Sequence, residues 1–281
     1  MGPGLQAARN VAKAMLLLVG FVTALAALGW WLGGFGVGTV FLVVALLMAA
    51  TMYWYGPRVI LASLGARELS LAEAAVLHTT VEELAAAAGV GRPKLYILED
   101  SYPRALSVGR GAGDLSIAVS RGLLGLTPPA ELEGILAHEL AHGRHRDVTI
   151  QTPVVLLAVW LIEASRIGGW FERALLYLLA PVGASLVQVM LSPRRELAAD
   201  ARAAETCGTP HGLADGLAWL EQGMELIEFK GASPATEPLY TMNPFGQDRL
   251  AMMFATHPLV EDRIRRLREL DPDWRERLRA A

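Results

Sequence analysis

The chain has 281 residues, of which 53% are hydrophobic and only 19% charged, and its mean hydropathy is positive. A purely soluble domain carries more charge, so the composition points to membrane-spanning segments. A formal net charge of -3 with no lysine-rich block speaks against a nucleic-acid partner, and a single cysteine, Cys207, excludes an intrachain disulfide.

Two uncharged apolar runs open the chain, residues 14–32 (AMLLLVGFVTALAALGWWL) and 37–55 (VGTVFLVVALLMAATMYWY). At a rise of ~1.5 Å per residue, each helix would come close to the ~30 Å of a hydrocarbon core. Gly33 and Gly34 separate them, and Trp30, Trp31, Tyr53, Trp54 and Tyr55 stand at their ends, where amphipathic rings favour the headgroup zone. The first run is too long for a signal-peptide core, and a second follows at once. Arg9 and Lys13 precede the first run, the connection has no basic residue, and Arg58 and Arg67 follow the second. The positive-inside rule then puts the N-terminus and everything after Tyr55 in the cytoplasm, making an integral, multi-pass protein of the cell or inner membrane.

Residues 67–127 read as soluble. Ser70 and Glu73 have capping-box spacing ahead of an alanine-rich helix that runs to about Ala88 and stops at Gly89. Strands are expected at 94–98 and 115–120, with the intervening GRGAGD as a turn. Thr127 reads as a helix N-cap with Pro128 in the first helical position, and the helix should carry Leu132, Ile135 and Leu136 through to Asp147. Two more apolar stretches, 149–162 and 174–191, are expected to form a further transmembrane hairpin, since a kinking Pro181 is tolerated in lipid; the alternative is a hairpin buried partly in protein. Glu163 lies three residues before Arg166 and reads as a local ion pair. Leu213, Leu217, Leu220, Met224 and Ile227 stripe a helix, a proline-punctuated loop covers 231–246, and Val260, Ile264 and Leu267 stripe the last helix.

The chemistry concentrates in Ala137-His138-Glu139-Leu140-Ala141-His142, an H-E-x-x-H segment. On a helix, His138 and His142 are ~40° and ~6 Å apart, so both imidazoles can reach one ion. Glu139 stands near that ion but off the ligand axis, as suits a general base acting on water. A hydrolytic zinc site wants three protein ligands and one open position. His145 shares the face of His138 but lies ~10 Å along the axis, too far for one ion to bind both, and reads as surface or as an outer partner. His257 stays possible as a ligand. The strongest third candidate is Glu196, in RRELAAD: Glu196 and Asp200 lie on one helical face, so one carboxylate can bind metal while the other orients an imidazole.

Together, two leading spans, HELAHGRHRD, an apolar insert, RRELAADARAA, NPF and THPLVEDRI resemble the HtpX-type membrane metalloproteases, gluzincins related to the prenyl-protein endopeptidases. The resemblance implies a mainly α, zincin-like metalloprotease domain with a small β-sheet. It implies one zinc ion held by His138, His142 and Glu196, with Glu139 as base and Asp200 as an outer partner. It places His257 and Arg263 near the site, where they could steady the oxyanion. Where the family usually has Asn-Ala-Phe-Ala on a substrate-facing edge strand, this chain has Arg104-Ala105-Leu106-Ser107, which puts substrate preference in doubt. Substrate is expected to lie extended beside residues 105–108. The expected division is a membrane region over 1–62 and a metallopeptidase domain over 63–281, interrupted by the apolar insert at 149–191. The expected function is a zinc endopeptidase at the cytoplasmic face, acting on polypeptides, chiefly membrane proteins in quality control, with the bilayer as its other partner. A processing peptidase for one defined precursor shares every motif. A non-catalytic scaffold stabilised by zinc would have little use for Glu139.

Overall fold

The structure, a computed structural model, describes residues 3–166, 169–227, 229, 233–246 and 248–273. Helix α1 (Pro3–Ser63) is two helices folded back on each other at Gly33 and Gly34. Gly34 takes φ 68°, a conformation open to glycine without strain, and the turn brings the two arms into close contact. A Cβ on Gly38 would lie 3.2 Å from the Trp30 backbone. The two expected apolar runs are thus the two arms of one hairpin. Its surface is largely bare: 6% of its most apolar window is buried against the rest of the protein.

A four-stranded mixed sheet follows, β1 (Arg67–Glu68), β2 (Lys94–Leu98), β3 (Ala105–Gly111) and β4 (Asp114–Ser120), in spatial order β1-β2-β4-β3. β2 and β4 are parallel; the outer pairs are antiparallel. The glycine-rich turn expected at 109–114 shrinks to Ala112 and Gly113, because β3 continues through an irregularity between Gly109 and Gly111. α2 (Ala75–Ala88) ends as expected on a left-handed Gly89. The Ser70 hydroxyl does donate to Glu73 (2.7 Å), but in a turn that precedes the helix.

Two helix boundaries differ from expectation for local reasons. The Ser120 hydroxyl caps a short helix, α3 (Arg121–Leu126), and Thr127 closes that helix instead of opening the next. α4 (Pro129–Arg144) therefore starts one residue later, behind Pro128. α4 also stops before Asp147. Arg146 has φ 56°, the only non-glycine positive φ among the described residues, and turns the chain into α5 (Asp147–Arg166). A left-handed arginine costs on the order of 1–2 kcal/mol, so the packing around it must over-determine the bend.

α5 and α6 (Glu172–Met190) form the expected helical pair, with the Glu163–Arg166 ion pair at 3.2 Å. By length and composition α5, α6 and the α1 hairpin are each able to cross a membrane. α5 nonetheless has 72% of its apolar window buried against protein, compared with 22% for α6. α7 (Arg194–Cys207) and α8 (His211–Leu226) return beside α4. Gly134 permits the α4–α8 contact, since a Cβ there would stand 2.4 Å from the Leu213 nitrogen. The 231–246 loop turns inward: Gly231 and Ala232 lie outside the described residues, but a 3-10 turn at Pro234–Leu239 and the following Tyr240, Thr241 and Met242 are buried. α9 (Arg249–Phe254) and α10 (Val260–Glu269) close the chain. Two apolar cores result. Leu95, Ile117, Ile135, Leu140 and Leu217 belong to one, and Leu106, Val154, Leu239 and Phe254 to the other. Between them lies a buried polar seam.

Candidate metal centre

That seam is built on the polar edge of α4. His138, Glu139 and His142 are essentially inaccessible. The i,i+4 spacing on α4 sets the two Nε2 atoms 3.2 Å apart. α7 brings Glu196, whose Oε2 lies 3.3 Å from His138 Nε2 and 3.6 Å from His142 Nε2. These three residues form a group able to hold a metal ion. A tetrahedral ion with bonds near 2.0–2.1 Å needs donors about 3.3 Å apart, close to the separations found. Both Glu196 oxygens are buried without a well-aligned hydrogen-bond partner among the described residues. Buried carboxylate oxygens left that way are costly, and a cation resolves the cost.

Each ligand-like imidazole is held from behind. His138 Nδ1 is 2.9 Å from Asp200 Oδ1, and His142 Nδ1 is 3.0 Å from Asp147 Oδ2. Such carboxylates fix tautomer and ring plane and leave Nε2 free for a metal. Sequence spacing singled out Asp200 but missed Asp147. The signal was the last residue of HELAHGRHRD, obscured by the assumption that α4 continued through it. His145 is buried, which rules out the surface reading, and its Nδ1 stands 4.0 Å from Asp147 Oδ2, beyond hydrogen-bond reach.

The electrostatics follow from this crowding. Burial alone would lower the His142 pKa, but Glu196 and Asp147 outweigh it and raise it to about 10. Burial would raise Glu196, yet His142, His257 and Arg195 hold it well below the ordinary carboxylate range. Asp200 resists the same burial through Arg263 and His138 and falls to about 2. Glu196 and Asp200 are therefore held as carboxylates, and a metal must displace a proton from His142 to bind beside them.

α10 and the segment before it supply the remaining residues. Arg263 is fully buried, and its guanidinium grips Asp200 twice (2.8 and 2.7 Å) while Nη1 donates to the Thr241 carbonyl (2.6 Å). It lines the adjoining cleft, and its Nη2 also lies 3.4 Å from His138 Nδ1. His257 differs. Its Nδ1 is 2.7 Å from Glu237 Oε1, and its Nε2 is buried, without a hydrogen-bond partner among the described residues, and 3.7 Å from Glu196 Oε2. Glu237 and Carboxylate-facing Thr241 were not legible beforehand, since both sit in an apparent loop. The Thr241 hydroxyl donates to Glu139 Oε1 at 2.6 Å.

One expectation is narrowed. β3 is an edge strand, but Tyr240 already bridges it at Leu106, and Thr241 N donates to the Ala105 carbonyl at 3.2 Å. Substrate extended beside residues 105–108 meets this segment at Ala105 and Leu106. Arg104 helps hold it: the guanidinium stacks over the Phe229 and Tyr240 rings and pairs with Asp100 at 2.6 Å. Space exists on the other side, in an open cleft of about 1180 Å³ lined by Tyr102, Met224, Phe229, Met242, Asn243 and His257.

A helix-borne H-E-x-x-H joined by a glutamate from a second helix, on a mainly α fold with a small sheet, defines a zincin-like metalloprotease. Residues 71–271 match the sequence profile of Peptidase family M48. The chain belongs to that family, and within it to the HtpX-type proteases. The Protease HtpX homolog of Pyrococcus abyssi is 37% identical over 271 residues, covering 90% of this chain and 94% of its own. The Acidiphilium cryptum homolog is 37% identical over 281 residues, covering 93% and 96%. Among solved structures, S. mikatae Ste24p is similar at a TM-score of 0.48 and 18% identity, over 94% of this chain and 66% of that one.

Proposed function

We propose that the chain is a zinc endopeptidase with His138, His142 and Glu196 as ligands to a single ion and Glu139 as general base. The convergence of three donor atoms at 3.2–3.6 Å in a fully buried seam carries this reading. Zinc bound there supplies Lewis acidity, polarising the scissile carbonyl and acidifying a water. Glu139 takes the proton from that water and delivers it to the leaving amine. Thr241, through its 2.6 Å hydrogen bond, holds the Glu139 carboxylate in place between these duties. His257 faces the cleft with its ring fixed by Glu237, and its Nε2 stabilises negative charge developing on the carbonyl oxygen. Arg263 acts as a positioning residue, through Asp200 on His138.

The division into a membrane region over 1–62 and a peptidase domain over 63–281 with an insert at 149–191 fits this scheme. So does a multi-pass membrane protein with its catalytic side in the cytoplasm. Arg9 and Lys13 flank the hairpin on the same side as the metal centre, where the Lys13 ammonium donates to the Met190 carbonyl at the end of α6 (2.7 Å). A protease so anchored would take membrane proteins or their exposed loops as substrates, which suits quality control. Glu139→Gln in the purified full-length protein is expected to retain zinc and lose hydrolysis by about 10²–10⁴-fold. Zinc retained with undiminished cleavage of casein would remove Glu139 from the mechanism.

A further inference from the structure

The first arm of α1 reaches the metal centre directly. Asn10 lies ahead of the apolar run, and its side-chain amide donates to Asp147 Oδ1 at 2.6 Å and to the His145 carbonyl at 3.0 Å. The other oxygen of Asp147, Oδ2, is the one against His142 Nδ1 at 3.0 Å. A continuous chain of contacts therefore runs from the membrane hairpin through Asn10 and Asp147 to His142. Asp147 is buried, so each of its oxygens needs a donor, and these two supply them. The bend that brings Asp147 under His142 is the strained one, at left-handed Arg146. A carboxylate at a strained bend needs an anchor from outside its own helix, and the Asn10 amide is that anchor. Its second bond, to His145, grips the residue just before the bend.

We infer that Asn10 is a positioning residue for His142, so the first membrane helix is part of the metal centre as well as its tether. The inference rests on the reading of His142 as a metal ligand. Coupling of this kind is reciprocal: hairpin docking raises zinc affinity, and bound zinc strengthens hairpin docking by the same factor. Loosening of the N-terminal helix would then release the ion from a protease no longer properly seated.

The test is the zinc affinity of full-length protein in detergent, measured by competition with a chromophoric chelator. Asp147→Asn, which weakens the direct partner of the imidazole, is expected to lower affinity about 10- to 100-fold. Asn10→Ala removes one hydrogen-bond donor from that partner and is expected to lower it about 3- to 10-fold. Asn10→Asp keeps the side-chain shape, sets a carboxylate against Asp147, and is expected to lower it at least as much. Because Asn10 acts through Asp147, the double variant is expected to be no weaker than Asp147→Asn alone. Lys13→Met, which loosens the same helix against α6 without removing a hydrogen bond from Asp147, is expected to lower affinity by less than Asn10→Ala does. Wild-type affinity in both Asn10 variants, additive losses in the double variant, or an equal loss in Lys13→Met would each overturn the inference. A wild-type protein that binds no zinc would instead remove the metal reading itself.

Discussion

The α1 hairpin and helix α5 are both apolar enough to cross a bilayer, yet they meet opposite surroundings. The hairpin has 6% of its apolar window buried and α5 has 72%. α5 is enclosed by α1, α6, β3 and the 3-10 turn, and its first two turns carry polar side chains that all find protein partners. Thr149 donates to the Arg110 carbonyl (2.8 Å), and Gln151 joins the Pro238 carbonyl (2.6 Å) to Arg195 (2.6 Å). α5 thus binds the sheet edge and the segment over the metal centre to one another. Hydropathy reports what a segment can tolerate; its neighbours decide what it does. The hairpin leaves its surface uncovered, while α5 uses a membrane-like composition as core.

The comparison breaks if equal truncations cost the same on both helices. Leu156 on α5 is buried, with Cδ1 only 2.8 Å from where a Cβ on Gly56 would lie, whereas Leu46 on the hairpin faces outward. Leu156→Ala is expected to destabilise by about 2–5 kcal/mol through the cavity it leaves. Leu46→Ala is expected to stay within about 0.5 kcal/mol. Thermal unfolding in detergent measures both, and matching shifts would mean that α5 is not core.

A smaller effect sharpens the polar half of the contrast. Gln151→Leu keeps roughly the same volume but deprives buried Arg195 of an acceptor and the Pro238 carbonyl of one of its two donors, Arg195 Nη2 being the other (2.7 Å). The expected cost is about 1–3 kcal/mol. Because the same turn carries Glu237, which orients His257, turnover should fall while zinc content holds. An unaltered kcat would show that α5 supports the fold without supporting the site.

How much of this could be read beforehand follows the same line. The helix period alone put His138 and His142 on one face, and the four-residue spacing of Glu196 and Asp200 put both carboxylates on another. Those relations are local, and the structure repeats them: Glu196 turns to the two Nε2 atoms and Asp200 to the back of His138. Most helices and the two strands β2 and β4 were equally legible from periodicity and turn residues, while the mainly α class with its small sheet came from the resemblance. Asp147 was hidden because its position depends on the left-handed bend at Arg146, which no propensity favours. Glu237 and Thr241 were hidden because proline and glycine mark their segment as loop, while long-range packing buries it against β3 and α4. The occupied edge of β3 was hidden for the same reason: pairing with Tyr240 spans over a hundred residues of chain.

The smallest test lies where the two helices share a face. The Lys13 ammonium donates to the carbonyl of Met190, at the last turn of α6, where an unsatisfied carbonyl and the negative end of the helix both attract a cation. Lys13→Met keeps the side-chain length and removes the charge, so the expected loss is about 1 kcal/mol, near 2 °C in Tm. The hairpin packs mainly against α5, and this polar contact near its start adds a tie to α6. If Lys13→Met leaves Tm unchanged while Leu156→Ala lowers it, the hairpin is held by its Gly56 contact with α5. If both lower it, contacts at the start and near the end of α1 share the task.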